Sequence, residues 1–121
     1  MPTPEGVARR LAAMALFVAT APGGEIIGTV GCQDTGGGLG HVRGMAVLPG
    51  WQGRGVAERL LAEAEMELRR LGCDRVNLDT TRPLLRAMRF YVRQGYRATG
   101  RVEDFFGMEI LEYVKDLTGT T

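Results

Sequence analysis

The sequence predicts a single α/β (α+β) domain built on a mixed sheet with flanking helices, and three observations lead to this fold class. The first is a pair of apolar segments separated by turn residues, which is typical of an antiparallel hairpin. The second is a strand, an amphipathic helix and a strand, whose spacing implies two parallel strands joined by a right-handed crossover. The third is another pair of strand-like segments near the C-terminus. The length of 121 residues suits one domain with a modest core, so we predict one domain over residues 1–121.

The net charge, the cysteines and the apolar runs limit which partners, metal sites and cell compartments the sequence predicts. The net charge is +1, so nothing in the composition demands a nucleic acid or a membrane surface as a partner. Cys32 and Cys73 lack the spacing of metal ligands, which predicts no metal site and a reduced, intracellular protein. The longest apolar run, residues 11–21, is too short for a membrane span and lacks the layout of a cleavable signal. We therefore expect a cytoplasmic protein.

The N-terminal part of the chain predicts a hairpin after a weakly patterned start. Residues 1–14 predict either an irregular segment or a short helix over residues 7–14. Residues 15–20 and 25–33 predict antiparallel strands, because an Ala-Pro-Gly-Gly turn separates them. The glycine-rich residues 34–40 predict a flexible loop without a phosphate-binding role, because they do not directly precede a helix.

The middle of the chain predicts the strand–helix–strand unit. Residues 41–48 are predicted to form the first strand and residues 75–79 the second. Between them, apolar residues recur at the spacing of one buried helical stripe, and Gly72 stands where a C-terminal cap is expected. The stripe consists of Ala57, Leu60, Leu61, Ala64, Leu68 and Leu71.

The C-terminal part predicts a second helix and two closing strands. The helix is expected to begin at residues 81–83, with proline near its first turn, and to end before Gly95. Its apolar side carries Leu84, Ala87, Met88 and Tyr91. Residues 96–99 and 108–115 predict the strands, joined by a loop that holds Asp104, Phe105 and Phe106.

The connection between the first parallel strand and its helix predicts a phosphate-binding loop. Glycine lets the backbone approach a ligand closely, and a helix start presents unpaired N–H groups at the positive end of a dipole. Together these features favour a diphosphate, and Arg54 adds a positive charge. The glycine loop, as we call residues 52–57, is Gln52, Gly53, Arg54, Gly55, Val56 and Ala57. The alternative is a tight connection in an unrelated α/β protein; Walker A and dinucleotide motifs do not fit these residues.

Three segments resemble the GNAT acetyltransferase superfamily. Gln52-x-x-Gly55-x-Ala57 is similar to the family signature Q/R-x-x-G-x-G/A. Residues 87–96 are similar to the family segment A-x-x-L-Y-x-x-x-G-F/Y, and residues 113–117 resemble its closing strand. The resemblance runs from about residue 16 to residue 117, in the family's order.

This resemblance implies a cosubstrate and a shape for the sheet. It implies acetyl-coenzyme A as the cosubstrate, bound at the glycine loop. It also implies that the sheet, otherwise mostly antiparallel, contains a central parallel strand pair that splays apart near Leu48 and Asp79. The pantetheine arm would then bind the backbone of β-strand residues Met45, Ala46 and Val47, and the Val47 N–H would polarise the thioester carbonyl.

Acetyl transfer to an amine requires a neutral amine, a donor for the developing oxyanion and a proton for the departing thiolate. The resemblance implies Tyr91 as the general acid; the alternative is a packing tyrosine that only hydrogen-bonds the sulfur. His41, the single histidine, stands where many family members carry a glutamate that deprotonates the amine. The alternative for His41 is a strand residue without chemistry. Asp79 and Glu25 are weaker candidates for a base or a substrate contact.

Three aromatic residues have two interpretations each. Trp51 either packs beneath the glycine loop or faces the adenine of the coenzyme. Phe105 and Phe106 either wall an acceptor pocket or cover the sheet or a dimer contact.

Two departures from the family pattern bear on activity. Only about fifteen residues precede the segment 16–20, where the family usually has helices that line the acceptor site. Leu84 stands where the family often has an asparagine.

The predicted function is N-acetyl transfer from acetyl-coenzyme A to a primary amine, favoured as a small molecule, by direct transfer in a ternary complex. The alternatives are a catalytically weak or inactive coenzyme-binding sensor or interaction module, and a structural α/β domain outside the family. A homodimer through the closing strands is the implied assembly.

Overall fold

A computed structural model describes residues 10–11, 14–81 and 85–118, which form one seven-stranded sheet and two α-helices. The strands are β1 (Arg10–Leu11), β2 (Met14–Thr20), β3 (Ile26–Asp34), β4 (Leu39–Val47), β5 (Arg75–Thr81), β6 (Arg97–Phe105) and β7 (Met108–Asp116). The helices are α1 (Val56–Arg70) and α2 (Leu85–Arg93), and a short 3-10 helix covers Pro49–Trp51.

The sheet has the strand order β1-β2-β3-β4-β5-β7-β6, and only β4 and β5 run parallel. Helix α1 connects these two parallel strands, as the crossover spacing predicts. The predicted fold class, a mixed and mostly antiparallel sheet with flanking helices, is therefore confirmed.

Both helices contribute to one core on the same face of the sheet. The predicted apolar stripe of α1 is buried at Leu60, Leu61, Ala64 and Leu68. Tyr91 of α2 contacts the ring of Tyr113 on β7, and Tyr113 pairs with the buried Leu78 of β5. We call the opposite side of the sheet the helix-free face, since neither described helix packs there.

One acidic side chain of α1 is buried with the apolar stripe, and sequence reasoning did not single it out. Glu65 is only 5% exposed. Its carboxylate accepts hydrogen bonds from the Tyr96 hydroxyl at 2.7 Å and from Lys115 Nζ at 2.9 Å. The buried charge is therefore compensated, and it ties α1 to the start of β6 and to β7.

Three local expectations are wrong. Within residues 7–14, the described part is extended rather than helical, since Arg10–Leu11 pairs with the start of β2. Asp104 and Phe105 lie in β6 rather than in a loop, because the turn contains only Phe106 and Gly107. The second helix begins no earlier than Leu85 in the described residues, and Thr81 ends β5; residue 84 lies outside the described residues.

A bulge in β4 opens the middle of the sheet. Between the pairs Thr29–Ala46 and Gly31–Arg43, β4 contains one residue more than β3. Gly44 lies there with a φ of +67°, and its carbonyl accepts a hydrogen bond from the Thr29 hydroxyl at 3.1 Å. An extra residue of this kind bends a strand and increases its twist.

The parallel pair ends where this bulge begins. The last residues that pair between β4 and β5 are Val42 and Leu78, although each strand continues for several residues. The implied splaying of the parallel strands is therefore present, and we call the opening between them the fork.

We expect Glu65→Ala to lower the free energy of unfolding by about 3 kcal/mol, because it leaves Lys115 and the Tyr96 hydroxyl without their buried partner. Urea unfolding followed by circular dichroism measures this loss. The control is Glu63→Ala on the same helix. It removes an exposed ion pair to Arg59 at 3.7 Å, worth less than about 1 kcal/mol. Equal losses in the two variants would contradict a structural role for the buried carboxylate.

Candidate functional site

The fork leaves one backbone edge of β4 without a strand partner. Beyond the bulge, the Leu48 N–H donates to the Ile27 carbonyl at 2.9 Å, so this residue faces β3. Successive residues of a strand point their backbone groups to opposite sides. The N–H and carbonyl of Val47 therefore face the fork, and so do those of Met45. An extended ligand can hydrogen-bond to this edge.

The Gln52 side chain links the glycine loop to this edge. Its amide Nε2 donates a hydrogen bond to the Val47 carbonyl at 3.1 Å. The short 3-10 helix turns the chain between these two residues, and the Trp51 N–H donates to the Leu48 carbonyl at 2.8 Å. The first residue of the predicted signature thus fixes the loop against the end of β4.

The glycine loop has the backbone conformation that its glycines permit. Gly53 and Gly55 have φ values of +78° and +85°, which side chains with a Cβ disfavour. Gly55 caps α1, and the Arg59 N–H makes the first intrahelical hydrogen bond to its carbonyl at 3.1 Å. The N–H groups at the start of α1, from Val56 onward, therefore have no intrahelical acceptor. This arrangement fits a phosphate group.

Arg54 and Trp51 form a pair at the outside of the loop. The Arg54 guanidinium lies 4.9 Å from the centroid of the Trp51 ring, and the ring is half-buried. A cation over an aromatic face is attracted by the ring quadrupole. Neither residue lines the cavities described below.

A cavity of about 560 Å³, which we call the long cleft, runs from the glycine loop to the fork. It brings together seven of the ten residues predicted to bind the coenzyme. These are Met45, Ala46, Val47, Gln52, Gly53, Ala57 and Tyr91. The remaining three, Arg54, Gly55 and Val56, belong to the loop without lining the cleft.

A smaller cavity of about 310 Å³, the fork cavity, occupies the opening between β4 and β5. Val42, Leu78 and Asp79 lie along its walls. Met45, Ala87 and Tyr91 line both cavities, so these residues stand where the two meet. A molecule that enters along the long cleft reaches the fork at Tyr91.

Tyr91 is held in the core at this junction. It is 8% exposed, and its ring contacts those of Phe90, Tyr96 and Tyr113 at centroid distances of 5.3, 5.9 and 6.4 Å. Burial raises the pKa of the Tyr91 phenol above its ordinary value. The hydroxyl therefore keeps its proton at neutral pH, as a proton donor must.

His41 lies outside both cavities, one residue before the last pair of the parallel strands. Its Nδ1 is 2.8 Å from the Asn77 side-chain oxygen, and the Asn77 amide donates to Glu112 at 2.9 Å. The Asn77 oxygen accepts, so His41 Nδ1 carries the proton and Nε2 is left with its lone pair when the ring is neutral. The hydrogen-bonded chain places His41 on the helix-free face.

The other predicted candidates lie as follows. Asp79 is exposed and lines the fork cavity, whereas Glu25 is exposed before β3 and lines neither cavity. Phe106 is 93% exposed at the tip of the β6–β7 hairpin and contacts Phe105 edge to face, so it does not cover the sheet.

The described residues contain no group of three or more His, Cys, Asp or Glu side chains arranged to hold a metal ion. Among the same residues, neither helix is long and apolar enough to cross a membrane.

The sequence model of the acetyltransferase (GNAT) family matches residues 4–96, so the chain belongs to this family. One relative is the aminoalkylphosphonate N-acetyltransferase of Salmonella typhimurium, which is 37% identical over 59 residues. This match covers 49% of the chain and 38% of the relative, so it spans well under half of that protein.

Solved structures share the fold. Nourseothricin acetyltransferase matches with a TM-score of 0.82 and 23% identity over 88% of this chain and 66% of that chain. A GNAT acetyltransferase from Staphylococcus aureus MU50 matches with a TM-score of 0.78 and 19% identity, over 88% and 70%. A GNAT acetyltransferase from Elizabethkingia anophelis with acetyl-CoA bound matches with a TM-score of 0.74 and 15% identity, over 86% and 76%.

We expect the Tyr91 phenol to remain protonated when exposed tyrosines ionise, around pH 10. The pH is raised from about 9 to about 10.5 while circular dichroism shows that the chain stays folded. The increase in absorbance at 295 nm, which reports tyrosine ionisation, should be the same for the wild type and Tyr91→Phe. A smaller absorbance change in the variant would show that Tyr91 ionises normally. Since the unfolded chain loses this proton first, the stabilising contribution of the buried phenol falls as pH rises above about 10.

Proposed function

We propose that the protein is an N-acetyltransferase that moves the acetyl group of acetyl-coenzyme A to a primary amine of a small molecule, directly and within a ternary complex. One observation carries the proposal: the long cleft runs from the glycine loop to the fork cavity, and the buried Tyr91 lines both cavities where they meet. Membership of the acetyltransferase family supports the same cosubstrate.

The long cleft fits the coenzyme at two chemically different ends. The helix start at the glycine loop offers N–H groups to the diphosphate. Gly53 and Gly55, whose positive φ favours glycine, carry no Cβ that would cover this surface. The edge of Met45 and Val47 offers the hydrogen bonds of a strand to the amide groups of the pantetheine arm. When bound, acetyl-coenzyme A supplies the thioester whose acetyl group is transferred.

The residues at the fork serve the bonds that form and break. As the amine nitrogen bonds to the carbonyl carbon, the Val47 N–H donates to the oxygen that gains negative charge. The Tyr91 hydroxyl protonates the sulfur when the carbon–sulfur bond breaks, and it recovers a proton from solvent. An acceptor that arrives as an ammonium group first loses one proton to solvent to give the neutral amine, and its nitrogen loses a second proton to solvent as the amide forms. The products are an amide and a free thiol.

The acceptor site proposed here is the fork cavity. Its exposed carboxylate, Asp79, can accept a hydrogen bond from an incoming ammonium group and hold it beside Tyr91. A volume of about 310 Å³ suits a small molecule. The relative from Salmonella typhimurium is named for an aminoalkylphosphonate, which is also a small amine.

A second candidate function is a coenzyme-binding module with little or no transfer activity. The observation that favours it is that no histidine and no buried carboxylate is among the described residues lining either cavity. His41 has a free Nε2 but lies outside them, and Asp79 is exposed. Among the described residues, none at the fork is thus specialised for taking the proton of the amine.

A thiol-release assay distinguishes the acetyltransferase from the coenzyme-binding module. It measures free thiol released from acetyl-coenzyme A in the presence of a panel of small primary amines and a lysine peptide. We expect turnover with a small amine, and a loss of about 100-fold in kcat for Tyr91→Phe, the usual size of a general-acid contribution. Tyr113→Phe is the control, because it removes a hydroxyl from the neighbouring ring of the same core. Coenzyme binding without turnover on any amine would favour the module, and full activity of Tyr91→Phe would remove the acid role.

We expect Gly55→Asp to abolish coenzyme binding, because its carboxylate would stand beside the diphosphate and its φ of +85° strains a residue with a Cβ. Thermal stabilisation by coenzyme A reports binding, since a ligand at about 100 times its dissociation constant stabilises by about 2.7 kcal/mol. Gly50→Asp adds the same charge in the exposed 3-10 helix, outside the cleft, and should retain most of the stabilisation. Unchanged affinity in Gly55→Asp would contradict a diphosphate at this loop.

A further inference from the structure

Helix α2 lines the long cleft with two arginines that the family motifs do not include. Arg86 and Arg93 both face the cleft, and Phe90 lies between them. They are seven residues apart, which is almost two complete turns, so they lie on the same side of α2 about 10 Å apart along its axis. The wall of the long cleft formed by α2 therefore carries two positive charges with an aromatic ring between them.

Both guanidinium groups are available to a ligand. Both side chains are exposed, and neither makes an ion pair or a hydrogen bond with any described residue. Several other arginines are engaged, for example Arg70 with Glu67 at 2.6 Å and Arg101 with Glu103 at 3.1 Å. Two positive charges on one wall of a cleft, without a partner among the described residues, favour an anion.

Among the described residues that line the cleft, one side chain carries a negative charge. Glu58 lines the cleft from the first turn of α1, but no ion pair of 4.0 Å or less joins it to either arginine. A carboxylate at this place is stabilised by the helix N-terminus and lies beside the glycine loop. The positive charge on α2 therefore remains uncompensated.

We propose that Arg86 and Arg93 bind the phosphate monoester on the ribose of coenzyme A, and that they make this chain select coenzyme A over its 3′-dephospho form. This inference rests on the proposed function. The diphosphate is served by the N–H groups of the glycine loop, whereas the monoester, with a charge of about −1.5 to −2, requires partners of its own. A guanidinium binds phosphate oxygens through two parallel N–H bonds, and the edge of Phe90 can adjoin the attached nucleoside.

Binding of coenzyme A and of 3′-dephospho-coenzyme A, each measured by isothermal titration calorimetry, tests this selection. The proteins are the wild type, the double variant Arg86→Gln with Arg93→Gln, and the control Arg89→Gln. Arg89 carries the same charge on the same helix but does not line the long cleft; it borders a neighbouring groove, which Arg93 also reaches. Melting of each protein without ligand shows that the fold is retained.

We expect the wild type to bind coenzyme A at least about tenfold more tightly than the dephospho form, a difference of about 1.4 kcal/mol. In the double variant this ratio should fall to near one while the affinity for the dephospho form is kept, and in Arg89→Gln the ratio should persist. Higher salt should shrink the ratio in the wild type, because exposed charges are screened.

Three results would contradict the inference and leave the proposed function standing. They are equal affinity of the wild type for the two coenzymes, an unchanged ratio in the double variant, and an equal loss of affinity for both forms. The last result would place the arginines at the diphosphate instead. A wild type that binds neither coenzyme would instead overturn the proposed function, and this inference with it.

Discussion

One inserted residue in β4 determines what the sheet can bind. The bulge at Gly44 bends β4 away from β5 and ends their pairing at Val42 and Leu78. Backbone groups in a protein interior need hydrogen-bond partners. The Val47 carbonyl accepts a hydrogen bond from Gln52, and the other backbone groups of Met45 and Val47 face the opening instead of a strand. The sheet is therefore incomplete at its centre, and an extended molecule with amide groups can complete it. With an unbroken pair, the fold would have the same helices and core but no fork.

The fork is useful only because rigid elements hold the residues around it. Tyr91 is fixed by three aromatic neighbours, and α1 is tied to the closing strands through Glu65 and Lys115. Residues whose rotamers are set by packing hold a site within a fraction of an ångström. The buried ion pair and the aromatic cluster thus act on function through geometry, although neither the carboxylate nor the lysine lines the cleft.

The sequence predicts most of the architecture because its strongest signals are local. Alternating apolar strands, a helical stripe and a glycine-bearing turn are visible within short windows, and each has its counterpart in the structure. The missed features depend on distant residues. Glu65 is buried because Lys115, 50 positions away, compensates its charge, and the bulge at Gly44 is defined by its register with β3. A glycine inside a strand pattern often marks a bulge, so Gly44 is the one local signal from which this bulge could be predicted.

The chain has a single tryptophan, and Trp51 lies in the 3-10 helix that enters the glycine loop, with the Arg54 guanidinium 4.9 Å from its ring. All indole emission from the native protein therefore originates beside the loop. A change in the position of the neighbouring arginine alters the electric field at the ring. The protein thus contains its own fluorescent probe, which reports events at one place in the molecule without any attached dye.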